Sequence, residues 1–90
     1  MTLPVVVFLP SALAGLFADS ERRVEVEAAT MSEVMDALDR RWPGMRDRLC
    51  DSRPAIRRHI NVFVDGERAT LTTVLKPGAE VYVLTAISGG

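Results

Sequence analysis

Ninety residues make one small domain, able to bury roughly 60% or a little more of its unfolded surface without disulfides or metal. At 48% hydrophobic and 26% charged, the composition is that of an ordinary soluble globular protein. A net charge of −1 sets up no field favouring nucleic acid or an anionic membrane, so neither is expected as a partner.

Residues 3–17 are partly apolar, but Pro4, Pro10 and Gly15 interrupt them and no basic segment precedes them. Neither a transmembrane span nor a signal peptide is expected, and the expected compartment is the cytoplasm. Cys50 is the single cysteine, so no internal disulfide can form, which agrees with a reducing compartment.

Val5-Val6-Val7-Phe8-Leu9, closed by Pro10, is a β-branched and aromatic run of strand length. Residues 11–21 read as a long hairpin connection with room for a helical turn. In Arg23-Val24-Glu25-Val26-Glu27-Ala28 the valines and Ala28 share one face and the glutamates the other, as in a half-solvated strand antiparallel to the first. Thr30-Met31-Ser32-Glu33 then fits a capping box, with the Thr30 hydroxyl on the Glu33 amide and the Glu33 carboxylate reaching back to the Thr30 amide. It predicts a helix over about 30–42. Met31, Val34, Met35, Leu38 and Trp42 form one apolar stripe for packing on a sheet, Arg40 and Arg41 suit the last turn, and Pro43-Gly44 stops the helix. Met45 and Leu49 are spaced for a short second helix ended by Asp51-Ser52-Arg53-Pro54.

Ile60-Asn61-Val62-Phe63-Val64 is the next strand, closing on an Asp65-Gly66 turn. Residues 67–75 read as irregular, with Leu71 and Leu75 as plugs. Lys76-Pro77-Gly78-Ala79 suits a type II turn, and residues 80–86 form the last strand. The order is β-β-α-β-β without repeat or linker: a single domain over 1–86 followed by a flexible tail, 87–90.

The tail is Ile87-Ser88-Gly89-Gly90. Two glycines carry no Cβ and can thread a channel too narrow for side chains, although a glycine pair is also what a frayed chain end contains. A terminal carboxylate, with a reference pKa of roughly 3.3–3.7, is an anion at pH 7 and an inert acyl donor. Attack on the α-phosphate of ATP would convert it to an acyl-adenylate open to sulfur or nitrogen nucleophiles.

The strand order, the stretch Asn61-Val62-Phe63-Val64-Asp65-Gly66-Glu67, the turn Leu75-Lys76-Pro77-Gly78-Ala79-Glu80-Val81 and the closing Gly89-Gly90 together resemble the ubiquitin-like sulfur carriers of the MoaD and ThiS family. The added segment 53–59 is similar to the CysO type or to a longer MoaD-like member. Where the family often has Pro and Val before the glycine pair, this chain has Thr85-Ala86-Ile87-Ser88, so the pathway stays open.

The resemblance implies an α+β, β-grasp (ubiquitin-like) fold: a mixed sheet of four to five strands, one main crossing helix and a short second one. It implies a protein cosubstrate rather than an enzyme, with no stably bound cofactor. Its partners would be an E1-like adenylating enzyme of MoeB or ThiF type, which uses ATP, and a sulfur-accepting biosynthetic enzyme. On these positions Gly90 is the adenylation and thiocarboxylate site, and Gly89, Ser88 and Ile87 are the threading residues, able to reach about 13–14 Å when extended. The acceptor could be cysteine, molybdopterin, the thiamin thiazole, a tRNA base or a specialised metabolite. Two other readings share the fold: a ubiquitin-like modifier conjugated through Gly90, and a binding module with an idle tail.

Alternation supplies the docking candidates. If Val5, Val7, Ile60, Val62, Val64, Val81 and Val83 face the helix, then Phe8, Phe63, Tyr82 and Leu84 lie on the opposite face, where large apolar groups mark an interaction site unless the 67–75 loop covers them. His59 has no second ligand at metal spacing and suits the surface or the start of a strand. Cys50 reads as a half-buried small hydrophobe, and Arg53, Arg57 and Arg58 as solvated cations or contacts for an acidic partner.

Overall fold

The computed structural model describes residues 3–10, 23–52 and 55–85. Within them run β1 (Val5–Phe8), β2 (Arg23–Val26), α1 (Met31–Arg41), α2 (Met45–Leu49), β3 (Ile60–Val64), β4 (Glu67–Arg68) and β5 (Glu80–Thr85). The connection 11–21, Arg53 and the tail residues Ile87, Ser88, Gly89 and Gly90 lie outside the described residues.

The strands form one sheet in the order β2-β1-β5-β3-β4. Val7 lies opposite Val24 on antiparallel β2 and opposite Val81 on parallel β5, and Val62 opposite Val83 completes the centre. The first and last strands are thus neighbours in the middle of the sheet. A parallel pair cannot be joined by a tight turn, and the chain between β1 and β5 supplies the helical layer and both edges.

Strand alternation puts Val5, Val7, Val24, Val26, Ile60, Val62, Val81 and Val83 on one face, all buried. Against them α1 lays Met31, Val34, Met35 and Leu38, each fully buried, with Trp42 capping the helix C-terminus. The expected stripe is the observed one. Val64 points inward as expected but is half-buried at the end of the sheet, and Leu9 is buried just beyond the end of β1.

The α1 cap forms with one shift. Thr30 Oγ1 accepts from the Glu33 amide at 3.3 Å, but the Glu33 carboxylate accepts from the Ala29 amide at 2.6 Å, one residue before the amide predicted. Replacing Thr30 by Ala removes the only side-chain acceptor that α1's first turn receives from its N-cap and is expected to cost about 1 kcal/mol. A lower urea midpoint at unchanged m-value would show it.

Residues 67–75 are more ordered than their sequence predicts. Asp65 and Gly66 have φ of 48° and 89°, the left-handed pair of a two-residue type I′ hairpin, so the chain turns straight into β4. The following loop ties down the start of α1: Met31 N donates to Thr73 O and Ser32 N to Leu71 O, both at 3.0 Å, while Leu75 N donates to Ala29 O. Amides of a helix's first turn have no partner within the helix, and these carbonyls satisfy two of them. Leu71 and Leu75 are buried, as the plugs expected. Gly78, φ 78°, and the Ala79 N to Lys76 O bond fit the predicted type II turn.

Helix α2 is held by side chains whose sequence spacing carries no signal. Asp39 Oδ1 accepts from the amides of Gly44 and Arg46 at 3.0 and 3.1 Å. The Arg46 guanidinium donates to Ser32 O and pairs with Asp36 Oδ1 at 2.8 Å, which clamps α2 to α1.

Candidate docking face and carrier terminus

With α1 and α2 on one side of the sheet, Val6 and Phe8 of β1, Glu80, Tyr82 and Leu84 of β5 and Asn61 and Phe63 of β3 point to the other. Register brings the predicted docking residues together. Tyr82 lies directly opposite Phe8 on one side and Phe63 on the other, so the three rings form one row across β1, β5 and β3. The Phe8 and Tyr82 rings stack with centroids 4.6 Å apart and planes 11° from parallel, a contact worth about 0.5–1.5 kcal/mol beyond buried area.

Phe8 and Phe63 are half-buried, whereas Tyr82 and Leu84 are 40% and 47% exposed. Leu84 sits two residues beyond Tyr82 on the same face, opposite Asn61 and one residue before the end of β5. The 69–75 loop turns to the helical layer, with Leu71 and Leu75 in the core. An apolar patch rimmed by polar residues on a sheet face is the form of an interaction surface.

Other singled-out groups have plainer places. Cys50 is buried at the end of α2, where its amide donates to Arg46 O; burial pushes its thiol up, against a smaller opposing pull from Arg46. A thiolate is therefore disfavoured there, and the side chain packs as the small hydrophobe expected, more deeply than predicted. His59 is exposed in the turn before β3. Arg57 is not simply solvated: its Nε donates to Asp47 O at 2.7 Å and joins the 55–59 segment to α2, while Arg58 is exposed.

No group of three His, Cys, Asp or Glu that could hold a metal ion occurs among the described residues. Among them, too, no helix is long and apolar enough to cross a membrane. A hollow floored by Ile60, Val62 and Leu71 and edged by Arg57 and Thr70 has no carboxylate, imidazole or thiol in its lining. It offers no acid–base pair.

A five-stranded mixed sheet whose central last strand is parallel to the first, crossed on one face by a helix, is the β-grasp architecture of ubiquitin-like proteins. Residues 9–90 match the ThiS family, and the chain belongs to that family of ubiquitin-like sulfur carriers and modifiers. Small archaeal modifier protein 1 of Haloferax volcanii is 33% identical over 79 residues, 87% of this chain and 91% of that protein. A chain of the Amycolatopsis orientalis BexX/CysO complex superposes with a TM-score of 0.85 at 31% identity, covering 96% of this chain and 99% of that one. Mycobacterium tuberculosis CysO follows with a TM-score of 0.81, 25% identity and coverage of 92% and 99%. Of the two kinds of relative expected, CysO or a longer MoaD-like member, the CysO likeness is found over the chain as a whole.

Proposed function

We propose that this protein is a sulfur-carrier cosubstrate whose Gly90 carboxylate is adenylated by an E1-like enzyme and then converted to a thiocarboxylate. The observation that carries the reading is the family match over residues 9–90, which takes in both glycines of the tail. Structural likeness to a chain of a BexX/CysO complex adds support, because a carrier acts only while docked on a partner.

In the first step a Gly90 carboxylate oxygen attacks the α-phosphate of ATP, the bond to the β-phosphate oxygen breaks and pyrophosphate leaves. A sulfide sulfur then attacks the acyl carbon and AMP leaves, so one oxygen has been exchanged for sulfur. If the donor is a persulfide, the attack first gives an acyl disulfide, and a second thiol opens its S–S bond to release the thiocarboxylate and leave the donor's sulfur in a new disulfide. ATP belongs to the activating partner, and the resulting soft nucleophile stays attached to a protein instead of diffusing as sulfide. The acceptor is a biosynthetic enzyme that takes the sulfur from Gly90.

A second reading has its own support in the 33% identical relative, which is a small archaeal modifier protein. In that reading a lysine ε-amine attacks the adenylated Gly90 carbonyl, AMP leaves and an isopeptide bond forms. Activation is shared; the acceptor differs.

Intact mass after incubation with the host's E1-like enzyme, ATP and a sulfur donor tests the proposal. The expected gain equals the exchange of one oxygen for one sulfur. Conjugates whose mass equals that of an acceptor protein plus this whole chain less one water, joined through Gly90 to a lysine and formed without that gain, would favour the modifier reading. An unchanged mass with an enzyme known to be active would leave the tail idle and the domain a binding module.

A further inference from the structure

The register that sets Phe8, Tyr82 and Phe63 side by side continues to both edges of the sheet. Phe8 lies opposite Arg23 on β2, and Phe63 lies opposite Arg68 on β4. One row of the open face therefore runs Arg23, Phe8, Tyr82, Phe63, Arg68, three rings with an arginine at each end. At about 4.8 Å per strand the row spans about 19 Å.

Its two ends differ. Arg23 Nη2 lies 3.2 Å from Glu25 Oε2 in a pair with both side chains more than half exposed. Arg68 is exposed and takes part in no ion pair among the described residues.

We propose that Arg68 is a partner-recognition residue, receiving a carboxylate of the activating enzyme while that enzyme's apolar surface covers Phe63, Tyr82 and Leu84. This rests on the carrier reading. The occupant follows from reach: Gly90 is the fifth residue after Thr85, and five residues of fully extended chain span at most about 17 Å. An enzyme acting on Gly90 therefore works close to the end of β5, and the open face is the side of the sheet that α1 and α2 leave uncovered.

The carboxylate follows from desolvation. Directly opposite residues of neighbouring strands have Cβ atoms about 4.5–5.5 Å apart, so a surface that closes over Phe63 also shields Arg68 from water. A guanidinium covered without an anion is strongly unfavourable, and its fork of donors fits a carboxylate in bidentate fashion. Arg23 already has Glu25 and makes no such demand.

The test is the affinity and association rate of the full chain for the host's E1-like enzyme, measured at low and at physiological salt without ATP or sulfur donor. Arg68→Glu is expected to weaken binding about thirtyfold or more, and Arg68→Lys, which keeps charge but loses the fork, by less. Arg48→Glu makes the same charge change at an exposed position of α2, on the other side of the sheet, and should bind as wild type. An unaltered Arg68→Glu, an equal loss in Arg48→Glu, or a wild-type chain that does not bind would each overturn the proposal. Because no sulfur chemistry is involved, a chain that binds with the expected pattern yet never gains sulfur overturns the carrier reading alone.

Discussion

A chain lacking Gly89 and Gly90 is expected to lose adenylation and thiocarboxylate formation completely while melting at the wild-type temperature. The deletion draws the terminal carboxylate back by two residues, about 7 Å of extended chain, and places it on Ser88, whose side chain occupies space that glycine leaves empty. A displacement of 1 Å in a reacting group can cost about a hundredfold in rate, so a retraction several times larger leaves nothing measurable. Stability is expected to hold because the core side chains of β5, Val81 and Val83, and its pairing of Thr85 with Ile60, all among the described residues, lie upstream of the deletion. Pyrophosphate release and intact mass read the first effect, and a thermal melt the second. A truncated chain that still gained sulfur would move the reactive group away from Gly90.

Leu38→Ala is expected to be among the most damaging core changes, at about 2–5 kcal/mol. Leu38 is fully buried on the face of α1 that meets the sheet, and its carbonyl receives the Trp42 amide at the helix end. It belongs to a core cluster drawn from both helices and the sheet, elements already tied by hydrogen bonds, so a cavity there cannot readily collapse. Against a total stability of about 5–15 kcal/mol for a small domain, the loss is a large fraction. At roughly 4–8 °C per kcal/mol for a domain of this size, the melting temperature should fall by at least about 8 °C. Urea titration at unchanged m-value checks the free energy. A change below 1 kcal/mol would mean that the α1–sheet interface is far looser than its burial implies.

Most of the fold was legible because its signals are local. Alternation in Arg23–Val26 and Ile60–Val64, the 3.6-residue stripe from Met31 to Trp42, the Thr30 cap and the Asp65-Gly66 turn each lie within a dozen residues. The four docking candidates followed from the same alternation, since a strand that turns its valines inward turns Phe8, Phe63, Tyr82 and Leu84 outward. What escaped depends on contacts between distant segments. Strand β4 is two residues long and has no alternation of its own to read; it exists because the type I′ turn lays Glu67 and Arg68 against Val64 and Phe63. Residues 69–75 look irregular because their carbonyls serve the first turn of α1, some forty residues earlier in the chain.

By itself, then, the sequence determined which residues turn inward, where the main helix begins and ends, and that a diglycine follows the last strand, because periodicity and capping act between near neighbours. Only the tertiary structure decided that Arg23, Phe8, Tyr82, Phe63 and Arg68 share one row and that Arg46 locks α2 onto α1. The row requires β5 to enter between β1 and β3, and a shift of one residue in either pairing would turn Tyr82 into the core. That register is set by closing Val7, Val62, Val81 and Val83 over α1, a packing choice made by the whole core at once.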